Sequence, residues 1–213
     1  MSDFPASPVP PADLLEGYLP RAWAKAGLAK ALGGEELRLG LHLAGRGGGD
    51  WLIELRADEA RVTRGSRNGA PLSLVQSVQD WRGALWEGRG GALGARAAEL
   101  FRNGGSPGQS RWAPVRAAPL ARALADLGAL DGLLRLVVTG GKGGDWSLAL
   151  RVGPGALPEA PTATLSLAAE DAAALLAREL SPLEALLSGR LRLDGEMGFL
   201  LQLQGALGRL APT

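Results

Sequence analysis

The sequence predicts an α+β fold made of two repeated units, each a twisted, mainly antiparallel sheet covered by helices. Three observations carry that expectation: a segment that recurs at a fixed offset, strict period-two alternation of leucines within it, and a change to helical spacing after it.

The repeat is read directly from the residues. Leu39-Gly40-Leu41-His42-Leu43-Ala44-Gly45 precedes Gly48-Gly49-Asp50-Trp51-Leu52-Ile53-Glu54-Leu55-Arg56, and Leu134-Arg135-Leu136-Val137-Val138-Thr139-Gly140 precedes Gly143-Gly144-Asp145-Trp146-Ser147-Leu148-Ala149-Leu150-Arg151. Asp50 and Asp145 set the offset at 95 residues. Leu37, Leu39, Leu41 and Leu43 share one face of a strand, as Trp51, Ile53 and Leu55 do in the next. Glycine clusters between them fit hairpin loops, so each unit opens as a hairpin.

A third strand recurs as Leu72-Ser73-Leu74 and Leu165-Ser166-Leu167. Helical spacing follows each. Ser77 caps a helix through Val78, Trp81 and Leu85, with Asp80 three residues on. Asp171 opens a stretch with Leu175, Leu176 and Leu180, and Ser181, Pro182 and Glu184 then mark the start of a second helix that Gly189 ends. Amphipathic segments at about 13–32 and 119–130 are the expected opening helices. In the first unit, Gly90-Gly91-Ala92 stands where a further strand is expected, and a helix is predicted over 95–102. In the second, Gly153-Pro154-Gly155 and Pro158 interrupt the third strand.

The predicted organisation is a flexible tail over 1–12, a first unit over 13–102, a linker over 103–113 and a second unit over 114–213. The linker reading rests on Asn103-Gly104-Gly105-Ser106-Pro107-Gly108, which has no periodicity.

Composition bounds function. Hydrophobic residues make up 46% and charged residues 21% of 213, with 23 basic and 22 acidic side chains. Neither half carries the cationic excess that nucleic-acid binding requires. The absence of cysteine removes disulfides, thiolate nucleophiles and cysteine-based metal sites. No apolar run is long enough to span a membrane, and the N-terminal segment lacks the features of a secretory signal, so the expected location is cytoplasmic.

The residues Leu187-Ser188-Gly189-Arg190-Leu191-Arg192-Leu193-Asp194-Gly195-Glu196-Met197, with Leu165 to Asp171 before them and Gly198 to Leu203 after, resemble the C-terminal half of the sterol carrier protein type 2 domain. That family shows a strand, an acidic helix start, a Ser-Gly-Lys/Arg-Leu segment, then Gly-Asp/Glu-Met before a leucine-rich end. The resemblance covers about Leu134 to Leu207 and reaches the first unit through the internal repeat. It implies an apolar tunnel between sheet and helices that holds a sterol, fatty acyl chain or other lipid. Since the family's final segment covers the tunnel, Met197, Phe199, Leu200 and Leu203 are the positions expected beside a bound chain, with Leu176, Leu180 and Leu183 from the preceding helices. Trp146, like Trp51, Trp81 and Trp86, suits either a core or a cavity wall.

Catalytic readings fail on their chemistry. Gly104-Gly105-Ser106-Pro107-Gly108 has the G-x-S-x-G form, but Pro107 removes the N–H that an oxyanion hole needs and no strand leads into it. Gly140-Gly141-Lys142-Gly143-Gly144 lacks the Ser/Thr and helix of a phosphate loop. Asp50 and Asp145 repeat beside a tryptophan, as turn residues do. His42 alternates off the leucine face and has no second histidine to share a metal. The expectation is a non-enzymatic binder of a hydrophobic, lipid-like ligand (sterol, fatty acyl or isoprenoid), without cofactor or metal. The alternative is a protein-interaction or scaffold module whose cores are filled by its own side chains.

Overall fold

The computed structural model describes residues 4–26, 36–56, 58–102 and 117–208. A π-helical turn, Asp13–Tyr18, runs into α1 (Leu19–Ala26). Strands β1 (Leu37–Ala44), β2 (Gly49–Leu55), β3 (Ala60–Arg64) and β4 (Leu72–Ser77) follow. Then come α2 (Val78–Arg82), a π-helical turn (Gly83–Glu87), α3 (Gly91–Arg102) and α4 (Ala117–Gly128). The remaining elements are β5 (Gly132–Thr139), β6 (Trp146–Val152), β7 (Ala163–Ala168), α5 (Ala169–Ala177), α6 (Pro182–Leu187), β8 (Leu191–Gly195) and α7 (Met197–Gly208). The linker expected at 103–113 lies outside the described residues.

All eight strands form one mixed sheet in the order β3-β2-β1-β4-β6-β5-β7-β8. The α+β class holds. Within it, β5, β6 and β7 repeat the pairing of β1, β2 and β4: an antiparallel hairpin, then a parallel strand on its first member. Leu41 faces Leu74 as Leu136 faces Leu165, so Leu74 corresponds to Leu165. The Leu-Ser-Leu match in the sequence is therefore two residues out of register, because similar alternating triplets align equally well after a two-residue slip that keeps every side chain on its face.

The two halves differ at the edge where they meet. The first has β3 outside β2 but no strand outside β4. The second has β8 outside β7 but no strand outside β6. Each vacancy is filled by the other half: β4 pairs with β6, from Leu72 opposite Val152 to Val75 opposite Ala149.

Arg151 holds the loop that follows β6, which stands in the sequence where a counterpart of β3 would. Buried on β6 opposite Ser73, its Nη2 lies 2.6 Å from Asp131 Oδ1. It donates from Nε to Ala156 O at 3.1 Å, from Nη2 to Pro154 O at 3.0 Å, and from Nη1 to the carbonyls of Gly132 and Val152. One guanidinium thus satisfies the backbone of a loop that Pro154 and Pro158 keep out of the ladder.

Residues paired across a sheet point the same way, so Leu39, Ile53, Leu74, Leu150, Leu134, Leu165 and Leu193 lie on a single continuous apolar face. Every sheet residue of the two hydrophobic clusters belongs to that face. The other face carries Arg38, Glu54, Arg135 and Arg192. The architecture is one sheet with helices on one side.

Caps follow the sequence signals. Asp80 N–H donates to Ser77 Oγ at 2.9 Å and Glu184 N–H to Ser181 Oγ at 3.1 Å, while Gly189 ends α6 with φ +73°. The segment expected to be a flexible tail is instead docked from Phe4: its ring lies 5.5 Å from Tyr18 and 5.4 Å from Trp86, and Pro5 O accepts the Trp86 indole N–H at 2.9 Å.

Two stability measurements follow. Arg151→Met should lower the unfolding free energy in urea titrations by about 2–4 kcal/mol, because several loop carbonyls lose their buried donor at once. Arg151→Lys should recover only part of it. Ser181→Ala should cost about 1 kcal/mol if the hydroxyl holds the start of α6.

Candidate functional site

The covered face of the second half can be followed in rows across the strands. Trp146, Val138 and Leu167 form a buried row that α5 covers with Ala172. Val152 and Gly132 form another at the opposite end, beside Ala163, where α7 brings Phe199, Leu203 and Ala206 and α4 brings Leu124 and Leu127. Gly132 is glycine because a Cβ there would meet the Phe199 ring.

Between these rows lie Leu148, Leu136, Leu165 and Leu193, and next to them Leu74, Leu150 and Leu134. All seven are only half-buried, although all but Leu193 lie on interior strands of the sheet. Leu150 and Leu165 pack against neither hydrophobic cluster. Four strand spacings of ~4.8 Å, from β4 to β8, make this leucine floor roughly 19 Å wide. Leu175 of α5 borders it through one cluster and Leu200 of α7 through the other.

The corresponding part of the first half is filled. Ser77 and Ala168 cap equivalent helices, and Asp80 and Asp171 both stand three residues later, so Trp81 corresponds to Ala172. Trp81 packs edge-on to Trp86 at 5.7 Å, within a cluster that holds Leu14, Leu15, Tyr18 and Leu85. A large indole stands in one half where a buried methyl group stands in the other.

A partly buried Asp–Arg contact recurs as well. Asp171 Oδ1 accepts from Arg190 Nε at 2.6 Å, and Asp80 Oδ1 lies 3.6 Å from Arg89 Nη1. Each arginine follows a glycine with positive φ, Gly189 or Gly88. The contact ties the helix start to the chain after the next turn. The sequence signal, Gly-Arg after an N3 aspartate, is masked by the extra turn of α6 in the second half. The repeated tryptophans also find acceptors: Trp51 Nε1 donates to Glu16 Oε1 at 2.8 Å and Trp146 Nε1 to Asp80 O at 3.1 Å, the latter across the junction.

The residues singled out from sequence fall into two groups. Trp146, Leu180, Phe199 and Leu203 are buried and Leu200 is half-buried. Leu176, Leu183 and Met197 are exposed, Leu183 at 66%. On α5 it is Leu175, one position earlier, that turns to the cluster. The floor leucines Leu148, Leu150 and Leu165 were not singled out from sequence, since their alternation is that of any covered strand.

A family model described as the SCP-2 sterol transfer family matches residues 116–208. Over those residues the second half is similar to that family. No curated protein matches significantly. Among solved structures, sterol carrier protein 2 like 2 from Aedes aegypti is 22% identical, with 44% of this chain and 94% of that one covered and a TM-score of 0.28. Sterol carrier protein 2 from Yarrowia lipolytica, in its apo form, is 14% identical over 43% of this chain and 78% of that one, with a TM-score of 0.32. The inverting sec-alkylsulfatase Pisa1 from Pseudomonas sp. is 22% identical over 54% of this chain and 20% of that one, with a TM-score of 0.28. The likeness to the family rests on its sequence model. No helix among the described residues is long and apolar enough to cross a membrane.

The polar face has its own cluster. His42 Nδ1 lies 3.0 Å from Asp50 Oδ1, and Arg67 Nε donates to the same oxygen at 2.7 Å. Burial pushes the Asp50 carboxyl up, but hydrogen bonds from His42 and Arg67 outweigh it and hold the group below the ordinary aspartate value. A depressed carboxylate contributes stability that is present above its unfolded value and lost as pH falls through the folded one. Thermal melts should therefore show Asp50→Asn less stable at neutral pH by no more than about 1 kcal/mol, since the group is partly exposed. The difference should close as pH falls below the ordinary aspartate range.

Proposed function

We propose that the chain is a non-catalytic carrier that shields a lipid-like molecule of sterol, fatty acyl or isoprenoid type on the leucine floor of its second half. The observation that carries this reading is the half-burial of Leu148, Leu150, Leu136 and Leu165 at the centre of a sheet face whose flanking rows are fully buried. An acyl chain laid there would gain ~0.8 kcal/mol for each CH₂ removed from water. Leu175 and Leu200 would close on it from either side, whereas Phe199, Leu203 and Trp146 would back the walls. The Trp81 and Trp86 cluster makes the first half a scaffold in this scheme, with its own side chains in the ligand's place.

The test is displacement of a fluorescent fatty acid from the full-length protein, with native mass spectrometry of freshly purified material to detect co-purifying lipid. Leu150→Trp and Leu165→Trp should weaken probe binding at least tenfold with little change in melting temperature, because they fill space a ligand would occupy. If those positions were already packed, the same changes would cost ~1–3 kcal/mol of stability. Absence of both lipid and probe binding in the parent would reject the reading.

A further inference from the structure

The sheet ends on β8, and among the described residues nothing pairs with its outer edge. Leu167 O accepts from Thr139 Oγ1 at 3.4 Å on the β5 side, so the odd residues of β7 face β5 and Thr164 and Ser166 face β8. Their partners Asp194 and Arg192 use their backbone groups on β7. The N–H and C=O of Leu191 and Leu193 are left pointing outward.

That edge is complementary to itself. Two β8 strands related by a two-fold axis at Leu193 would pair antiparallel, each Leu193 exchanging both backbone hydrogen bonds with the partner's Leu193. In this register Leu191 meets the partner's Gly195 and Arg192 stands directly opposite the partner's Asp194. Arg192 and Asp194 are both exposed on the polar face, and among the described residues neither has an ion pair or side-chain hydrogen bond. The opposed pair is of the narrow type, where side chains approach most closely and opposite charges help most. The axis is normal to the sheet, so the helix-covered faces stay on one side and the two α6 helices are brought to that same side. α6 packs on β8 and exposes Leu183 and Leu187 at 66% and 79%. The opposite end strand behaves differently: β3 carries Arg61 and Arg64 and no acid, so two copies of it would repel.

We infer that the chain forms a two-fold dimer through β8, with Arg192 of each copy paired to the partner's Asp194 across a joined sheet. Sedimentation equilibrium of the full chain from low micromolar to near-millimolar concentration should give a dimer of 22.0 kDa protomers. Asp194→Arg and Arg192→Asp should each raise the dimer dissociation constant by roughly tenfold or more, since two attractive pairs become two repulsive ones. The double variant Arg192→Asp/Asp194→Arg should restore it, because only self-pairing in this register returns unlike charges to opposite positions. Circular-dichroism melts should show all three variants folded, as both side chains are exposed. A monomer at every concentration overturns the inference, and so does a dimer that either single reversal leaves unchanged or that the double variant fails to rescue.

Discussion

The pairing of β4 with β6 is the contact on which the rest of this molecule depends. A sheet edge is a row of unsatisfied backbone donors and acceptors, and each half presents one at the place where a strand of its own is missing. Joining them turns two incomplete ladders into one and abolishes both edges. It also sets the two halves' leucine faces in one plane, so that helices from either half cover a common surface. The Trp146 indole bonded to Asp80 O, and Arg89 Nη2 donating to Asp145 O at 2.7 Å, belong to the same joint.

Within that frame the difference between the halves comes down to side-chain volume. The helix after β4 offers Trp81, which meets Trp86 in a chain of rings that runs on to Phe4 and Tyr18; the helix after β7 offers Ala172, amid an alanine-rich turn. The backbone plan that the halves share thus carries a packed aromatic cluster on one side and a half-buried leucine floor on the other. Large rings are well suited to plugging an interior because they bury a great deal of apolar area with few rotatable bonds.

Much of this was legible in the sequence, and the exceptions have physical reasons. Strands β1, β2, β5 and β6 were plain because alternation and a repeated Asp-Trp fix their faces. The caps at Ser77 and Ser181 were plain because a short hydroxyl before a helical pattern has few other uses. The offset between β4 and β7 was misread, since period-two patterns tolerate a two-residue slip. Leu176 was expected inward and Leu175 is the residue that turns in, a rotation of one position that an all-apolar Ala/Leu helix does not encode. The junction itself left only negative traces, Gly90-Gly91-Ala92 in one half and Gly153-Pro154-Gly155 in the other. An absent strand names no partner, and which element fills it depends on the rest of the chain.

The order of contacts along the chain bears on how the molecule assembles. Hairpins β1–β2 and β5–β6 join residues close in sequence, whereas Ser73 must find Arg151 across more than seventy intervening residues. Loop-closure entropy makes such long-range pairings late events. Until the joint closes, each half displays its own bare edge, and the edge that fits it is present on every other molecule in solution. The rate at which the chain finds its own second half, against the rate at which it meets a neighbour's, therefore sets the concentration above which refolding yields exchanged assemblies instead of single chains.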